Sequence, residues 1–566
     1  MKKQIEQSLR DILSSMSTTV PEGELIKPTD LSHGDYTTNI ALILAKQLGR
    51  NPMEVGEEIA EMLRAEGVAR SVEKVEVVKP GFINFWISEE ELSNSIYGSN
   101  GQVDQVFAGK KIILEYTDPN PFKEFHIGHV YTNTIGEALS RLFEKTGAHV
   151  KRVTYQGDVG LHVAKSIWGM REKKKEGFDF LSLETSPVSD RAKFLGECYA
   201  LGAKMYEESD EAKQEIIEIN KQVYAKENLL EYVHGRAWSL EYFDLLYKRL
   251  GSNFDRNFFE SEVGEAGKQL VLQYVKEGVF EESQGAIIFP GEKYGFHSRV
   301  FINSLGLPTY EAKELGLAPL KYEYFPYDLS FIITGNEIIE YFRVLIKALS
   351  LIRPDLAEKT KHIPHGMVRL PQGKMSSRTG NVITGEWLLD EAVSLAKQKI
   401  AESKKSKEGV SEDVAEIVGK GAVKYALLKS SLGKDIEFSF EESISFEGNS
   451  GPYLQYTYVR TRSVLEKAQG AELKAGSWMY EPEELVLLRQ LYKFSDVVVT
   501  SARDYSPNTL TTYLYELAQA FNLFYQKHKV IEDGEYLEHR LQLVTRVGDV
   551  IKEGLEILGI ESPERM

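Results

Sequence analysis

The chain has 566 residues, including 45 Gly, 18 Pro and a single Cys, with 68 basic and 85 acidic residues that give a formal net charge of −17. This length predicts three or four domains, and Cys198 alone excludes an internal disulfide framework or a Cys-rich zinc site. No apolar run approaches the roughly 20 residues of a membrane span, and the polar start is not a secretory signal, so we expect a cytoplasmic protein. The acidic balance does not exclude RNA, because RNA contacts depend on local patches.

The amino-terminal region, residues 1–95, has the pattern of a small α/β module. Helical patterns occur near 1–14 and 38–65, followed by VEKVEVV and then by PGFINFWIS, which alternates as a strand does. A polar, Gly-containing segment after this module is typical of a linker.

The next region begins a nucleotide-binding α/β sheet. KKIILEY predicts a buried strand, a Pro-containing loop follows, and a helix is expected from Ile127 to Lys145. HVKRVTYQ is the next strand, which completes a βαβ unit. We therefore predict a Rossmann-type catalytic domain at 108–400. A helical insertion is expected at about 170–290, and an all-α domain at 401–566.

The first motif with catalytic chemistry is HIGH, at the start of the predicted helix. A helix amino terminus offers free N–H groups and positive potential for phosphate, and Gly128 would let a flat purine or ribose approach. The imidazoles of His126 and His129 could donate to the oxyanions of a pentacoordinate phosphorus. A zinc site or an unused helix start are the alternatives.

The second motif is GKMSSRTGN, residues 373–381, a Gly- and Ser-rich loop with Lys374 and Arg378 four positions apart. Such a loop can bring cations to a polyphosphate. A solvated basic turn is the alternative for an isolated string of this kind. The order of HIGH, KMSSR and a helical domain favours the catalytic interpretation.

This combination resembles the signature pair of the class I aminoacyl-tRNA synthetases, and the surrounding residues resemble the arginyl-tRNA synthetase family. The resemblance runs from the first domain to the last residue. Four further stretches carry it: HGDYTTNIALILAKQLGRNP (33–52), PTYEAKELGL (308–317), NSGPYLQYTYVRTRSVL (449–465) and ILGIESPERM (557–566).

The resemblance implies an arginine pocket. A planar guanidinium needs a carboxylate placed for bidentate bonding, and Glu115 and Glu314 are the candidates. The family's usual Tyr-x-x-x-Asp is here Tyr310 to Glu314, so the acid is one methylene longer. An acid or amide near 334–342 stays open. The residues predicted to bind arginine are Glu115, Asn120, Asp158, His162, Tyr310 and Glu314, with Asp158 a candidate for the ammonium group.

The implied enzyme is an ATP-dependent arginine–tRNA ligase. The residues predicted to bind ATP are His126, Gly128, His129, Met367, Lys374, Met375, Ser376, Ser377 and Arg378, of which His126, His129 and Lys374 are catalytic. No tightly bound cofactor or protein-held metal is expected, and Mg²⁺ would arrive with ATP.

The resemblance also implies partners and roles for the domains. L-arginine and its tRNA are the other substrates, the first domain meets the tRNA elbow and D-loop, and the last binds the anticodon. Family members are mostly monomeric. The alternatives are a synthetase for another amino acid, an inactive tRNA-binding paralogue and a small-molecule nucleotidyltransferase.

Overall fold

The computed structural model describes residues 2–16, 25, 26, 28, 33–65, 71–97, 103–371, 383–403, 411–469, 479–532 and 536–566. The chain divides into two compact units. The first comprises Met1–Gln102, Thr461–Ser495 and Glu516–Val550, and the second comprises Val103–Arg460, Asp496–Tyr515 and Ile551–Met566.

The amino-terminal part of the first unit is the α/β module that the sequence predicts. Its helices and strands are α1 (Lys2–Met16), β1 (Tyr36–Thr38), α2 (Ile40–Leu48), α3 (Pro52–Ala65), β2 (Val72–Val78), β3 (Phe82–Ile87) and α4 (Glu89–Tyr97). The central strand β3 pairs antiparallel with β1 and β2. The predicted helix at 38–65 is two helices. Gly49, with φ of 64°, caps α2, and Pro52 starts α3.

The strands β4 to β13 and the helices α5 to α14 lie in the second unit. The strands are β4 (Lys111–Glu115), β5 (His149–Gln156), β6 (Arg256–Phe259), β7 (Glu281–Ser283), β8 (Ala286–Phe289), β9 (Arg299–Ile302), β10 (Leu329–Gly335), β11 (Thr360–His365), β12 (Val368–Arg369) and β13 (Ile436–Glu437). The helices up to the predicted domain boundary are α5 (Ile127–Lys145), α6 (Leu161–Lys175), α7 (Val188–Glu208), α8 (Asp210–Tyr224), α9 (Leu230–Leu250), α10 (Glu260–Val275), α11 (Tyr310–Tyr324), α12 (Ile339–Ile352), α13 (Pro354–Ala357) and α14 (Gly385–Ser403). Short 3₁₀ turns occupy Phe180–Thr185, Gly291–Tyr294 and Asn336–Ile338.

A five-stranded parallel sheet in the order β11–β10–β4–β5–β6 forms the centre of the second unit. This is the doubly wound arrangement, in which the chain order reverses between β4 and β10. Ligands of such sheets bind outside the carboxyl ends of the strands at this reversal. The HIGH motif follows β4 and therefore lies at the expected place.

Helices α6 to α9 lie between β5 and β6 and have a core of their own, which includes Phe122, Ile167 and Trp238. The strand β6 falls within the interval 170–290, where helical patterns predicted the insertion. Its four residues, RNFF, are too short a run to stand out beside the long helical stretches. GAIIFP and RVFINS do form strands, β8 and β9, but these belong to a separate antiparallel sheet with β7.

Where the structure describes it, the carboxy-terminal region is helical apart from β13, in agreement with the predicted fold class. Its helices are α15 (Glu412–Leu428), α16 (Phe440–Ser443), α17 (Gly451–Lys467), α18 (Pro482–Tyr492), α19 (Phe494–Arg503), α20 (Pro507–Lys527) and α21 (Leu537–Ile557). Among the described residues, no helix is both long and apolar enough to traverse a bilayer.

Candidate active site

The loop between β4 and α5 has an unusual backbone. Thr117, Asp118 and Phe122 all have positive φ, at 78°, 42° and 67°. These conformations are costly for residues other than glycine, and surrounding contacts must hold them. Phe122 is fully buried, and its N–H donates to Ser239 Oγ at 2.9 Å. The insertion helix α9 thus fixes the path along which the loop reaches the HIGH motif.

The two HIGH histidines are held in a reciprocal capping box at the start of α5. His126 Nδ1 accepts the N–H of Gly128 at 3.1 Å, and His129 Nδ1 accepts the N–H of His126 at 3.1 Å. The rings are stacked, with centroids 3.6 Å apart. Because each Nδ1 is an acceptor, the proton of each neutral imidazole is on Nε2.

This capping corrects the expectation that the helix start offers free N–H groups. The N–H of Ile127 donates to Ile383 O, that of Gly128 to His126 Nδ1, and that of His129 to His126 O. The Nε2–H groups of the imidazoles are therefore the donors available to a phosphate. A Cβ on Gly128 would come within 2.9 Å of the His126 ring, so this glycine makes room for the imidazole itself.

Both histidines are neutral near pH 7. Burial, and then the positive charge of Lys123, lower the pKa of His126. Burial, His126 and Lys123 hold the pKa of His129 well below its ordinary value. Neutral imidazoles with protonated Nε2 are suited to donate hydrogen bonds without exchanging protons.

The signature residues Lys374, Met375, Ser376, Ser377 and Arg378 lie outside the described residues. The chain is described again from Ile383, where it lies beside the HIGH motif. Thr384 forms an antiparallel bridge with His126, and the Gly385 N–H donates to Phe125 O at 2.7 Å. The segment that follows KMSSR in sequence is thus paired with the segment that opens α5.

The segment that precedes KMSSR is also tied to the second unit. His365 Nε2 lies 2.8 Å from the hydroxyl of Thr132, one turn into α5. Met367, predicted to bind ATP, has an exposed side chain, and its backbone pairs with Asp435 and Ile436. The described contacts of Met367 are those of its backbone, and they do not test its predicted role in ATP binding.

The predicted guanidinium acids lie on β4 and α11. Glu115, at the end of β4, is buried and forms an ion pair with Lys321 of α11, with 2.7 Å between Oε2 and Nζ. Glu314 is mostly buried on the same helix and, with Lys321, lines a cavity of about 20 Å³. Tyr310, at the start of α11, is 55% exposed. The structure thus brings Glu115 and Glu314 to one place, with Tyr310 at the helix start.

Negative charges are concentrated around this pair of acids. Burial, then Glu115, raises the pKa of Glu314 well above its ordinary value, and the same two causes act on Asp118. The buried Tyr155 hydroxyl has no hydrogen-bond partner among the described residues, and burial, Glu260 and Glu314 raise its pKa. A cation placed here would ionise the acids, and Tyr155 offers an additional polar atom.

Asn120 and His162 both contact Gly157, which follows β5. Asn120 Oδ1 accepts the Gly157 N–H at 2.9 Å, and His162 Nε2 donates to Gly157 O at 2.7 Å. Burial lowers the pKa of His162 to about 3, so its ring is neutral. The two side chains shape the turn after β5.

Asp158 is occupied by partners within the protein. Its Oδ1 accepts the N–H of Ser261 at 2.9 Å. Its Oδ2 accepts the Ser261 hydroxyl at 2.7 Å, Arg236 Nε at 3.0 Å and the Tyr232 hydroxyl at 3.4 Å. A fully buried carboxylate with four donors is a structural anchor. This geometry argues against the predicted contact with the substrate ammonium.

The segment 334–342, left open by the sequence, is now partly assigned. Glu340 is exposed and pairs with Arg343 on α12 at 2.8 Å. The negative charge of Glu337 acts to raise the pKa of His126. Between Glu314 and Glu340, the geometry favours Glu314 as the second acid of the pocket.

Sequence reasoning missed Lys321 and Lys123. The positive charge of Lys123 acts on His126, His129 and His162, and its ammonium lies 4.9 Å from the ring centre of Tyr199. The position of Lys123 in the loop before HIGH was a usable signal. Lys321 is an ordinary lysine within a helix and gave none.

Comparisons with known proteins agree along the whole chain. Residues 92–440 match the family model of the class I tRNA synthetase (R) catalytic domain, 1–87 match the arginyl tRNA synthetase N-terminal domain, and 454–566 match the DALR anticodon-binding domain.

Two curated relatives and one solved structure illustrate the similarity. The arginine–tRNA ligase of Porphyromonas gingivalis is 31% identical over 100% of this chain and 99% of its own. That of Bacteroides thetaiotaomicron is 31% identical over 97% and 96%. The structure of Thermus thermophilus arginyl-tRNA synthetase has a TM-score of 0.84 and covers both chains completely at 23% identity, which supports the fold.

Proposed function

Because the chain belongs to the class I arginyl-tRNA synthetases, we infer that it is an arginine–tRNA ligase, which uses ATP to attach L-arginine to the 3′ end of its tRNA. The observation that carries this function is the HIGH motif at the chain reversal of the doubly wound sheet, together with Glu115 at the end of the strand that precedes it and Glu314, whose charge interacts with that of Glu115. Class I chemistry requires the phosphate site, and arginine requires the acids.

In the first step the carboxylate of arginine attacks the α-phosphorus of ATP. A bond forms between a carboxylate oxygen and phosphorus, and the bond to the pyrophosphate oxygen breaks, which gives arginyl-adenylate and pyrophosphate. The Nε2–H groups of His126 and His129 stabilise the charge that builds on the α-phosphate oxygens. Lys374, helped by Arg378, holds the pyrophosphate. No side chain exchanges a proton in this step.

ATP enters as its magnesium complex, with the metal held by phosphate oxygens. We assign no other cofactor. The ATP site comprises His126, Gly128, His129, Met367, Lys374, Met375, Ser376, Ser377 and Arg378.

The arginine site is built around Glu314 and Glu115, with Asn120 and Tyr310 at its borders. A guanidinium is a permanent cation that bonds bidentately to carboxylates, so a pocket with more acids than cations selects it. His162 and Asp158 act on this site by shaping the turns on which it is built.

In the second step the 2′-hydroxyl at the tRNA 3′ end attacks the arginyl carbonyl and AMP leaves. We assign residues 1–95 to the tRNA elbow and D-loop, 108–400 to catalysis and 401–566 to the anticodon. The enzyme acts as a monomer in the cytoplasm, where translation takes place. Activation of arginine requires bound tRNA.

The test is aminoacylation of total tRNA with each of the twenty labelled amino acids in turn. Charging with arginine alone is expected. Charging with another amino acid would show a different synthetase, and tRNA binding without any charging would show an inactive paralogue.

A further inference from the structure

The ion pair between Lys321 and Glu115 lies where the substrate cation is expected. Their side chains are 3% and 2% exposed, and Nζ is 2.7 Å from Oε2. Removing two charges from water is costly unless other interactions compensate, so a buried pair alone is weak evidence for stability. A contribution to stability is therefore a weak explanation for this ion pair.

Helix α11 places two of its charged residues, Glu314 and Lys321, on one face. Glu314 and Lys321 are seven residues apart, two helical turns, so they lie on the same face of α11. They line one small cavity together with Thr360. Lys321 is thus part of the same constellation as the acid that we assign to the guanidinium.

The charges that face Lys321 come from three elements. Glu115 is on β4, Asp118 is in the loop after it, and Glu314 is on α11 itself. Tyr327, before β10, is a fourth neighbour with a buried hydroxyl. A second buried pair, Lys313 with Glu260, lies nearer the start of α11, where the ammonium of Lys313 balances the charge of Glu260. Around Lys321, three carboxyl groups therefore face one ammonium.

We propose that Lys321 is a positioning residue for arginine recognition, whose ammonium pairs with the Glu115 carboxylate and orients it while Glu314 is left to receive the guanidinium. This inference rests on the proposed function and deepens it. Lys321 Nζ donates to Oε2 of Glu115 at 2.7 Å, and Oε1 is the oxygen that we assign to the substrate. The resident cation and the substrate cation together balance the acids of the pocket.

A merely structural lysine would affect stability but not the pH dependence of arginine recognition. Without the ammonium, Glu115 is a buried carboxyl with no counter-charge, and such a group takes up a proton. Lys321→Met should therefore resemble Glu115→Gln near neutral pH. Only Lys321→Met should recover at alkaline pH, because only this variant still has the Glu115 carboxyl to ionise.

The experiment measures the KM for arginine and kcat in ATP–pyrophosphate exchange, with total tRNA present, between about pH 7 and about pH 9. We expect Lys321→Met to raise the KM at least about tenfold near pH 7, with kcat changed less than about threefold. The ratio of its KM to that of the unmodified protein should fall as the pH rises, whereas the ratio for Glu115→Gln, which has no carboxyl at this position to ionise, should show no such fall. Lys321→Arg, which keeps the cation, should remain within about threefold.

Lys424→Met is the matched control. Lys424 is also a buried lysine, but it donates to the carbonyl groups of Leu250 and Gly559, on elements that do not form the pocket. Its loss should lower stability and leave the KM for arginine and its pH dependence unchanged.

A Lys321→Met variant with the unmodified KM, or with a raised KM that does not depend on pH, would overturn the inference. If that variant does not fold, Glu115→Gln/Lys321→Met replaces it, because no lone charge stays buried there. We expect the double variant to match Glu115→Gln. A further rise in its KM would show that Lys321 contacts the substrate directly. Absence of arginine-dependent exchange in the unmodified protein would instead refute the proposed function.

Discussion

His129 accepts the backbone N–H of His126 through Nδ1, while His126 accepts the N–H of Gly128 in the same way. Each imidazole is therefore fixed by its neighbour in the tautomer that presents Nε2–H. The helix start uses its own N–H groups for this purpose. We therefore expect the two preorganised imidazoles, and not the backbone N–H groups, to donate the hydrogen bonds to the phosphate.

The replacement His126→Asn separates capping from catalysis. Asn is a good amino-terminal cap and can supply an acceptor near the position of Nδ1, but it lacks the Nε2–H donor. We expect an almost unchanged melting temperature and a kcat for arginine activation lowered by about 10²- to 10³-fold, the effect of losing one oxyanion donor. Thermal unfolding and pyrophosphate exchange test this. An equal loss of stability and activity would show that His126 is structural.

The replacement Glu314→Gln tests the second acid of the arginine pocket. It removes the charge but keeps the shape, so the KM for arginine should rise by at least about tenfold, the value of one charged hydrogen bond. The KM for ATP should not change. Glu340→Gln, at an exposed acid paired with Arg343, is the control and should leave both constants unchanged. If Glu340→Gln raised the KM for arginine and Glu314→Gln did not, Glu340 would be the acid that binds the substrate.

Arginine affinity should also depend on pH. Burial and the charge of Glu115 raise the pKa of Glu314, and only the ionised form attracts a guanidinium. Affinity is therefore complete above the raised pKa and is lost as the pH falls through it. Titration calorimetry in two buffers of different ionisation enthalpy should detect proton release on arginine binding, provided that tRNA is present. Binding without proton release would mean that Glu314 is already ionised.

The replacement Asp158→Asn should destabilise the protein without a specific effect on arginine. It weakens an anchor that joins Arg236 and Ser261, at a cost on the order of 3 kcal/mol. We expect a lower midpoint of thermal unfolding. At temperatures below that midpoint, the KM for arginine should stay within about threefold of that of the unmodified protein. A large rise in this KM without a loss of stability would show instead that Asp158 contacts the substrate ammonium, as the sequence suggested.

The replacement His162→Gln should improve stability in acid. Burial lowers the pKa of His162 from 6.5 to about 3, so the unfolded chain binds a proton that the folded chain excludes, and stability is lost as the pH falls below 6.5. At about pH 5 this amounts to about 2 kcal/mol. Gln keeps a donor for Gly157 O but does not titrate. Melting curves should show a higher midpoint for the variant near pH 5 and similar midpoints near pH 8.

Local patterns in the sequence predicted much of the fold. The helix Ile127–Lys145 and the strand His149–Gln156 have the predicted bounds, because Gly147, with a φ of 98°, ends the helix and separates it from the strand. The strand β6 was missed because four residues carry no period, and its pairing with β5 is a tertiary interaction. Gly49 and Pro52 divide the predicted helix at 38–65 into two. Both residue types are sequence signals for the end or the start of a helix.

The site was predictable where motif and chemistry coincide. His126 and His129 are found together in the predicted place, but their tautomers depend on backbone contacts that no sequence displays. The role predicted for Asp158 is disfavoured because its partners, Arg236 and Ser261, come from distant parts of the chain. Lys321 gave no signal, since a lysine within a helix is usually solvated. The structure adds how deeply each side chain of the site is buried and which residues it contacts.

The most direct test of the account is ATP–pyrophosphate exchange with each of the twenty amino acids, with and without total tRNA. The account predicts exchange with arginine alone, appearing when tRNA is added and lost in both His126→Asn and Glu314→Gln at low arginine concentration. Exchange that is equally strong with a neutral amino acid, or that survives both replacements, would contradict it.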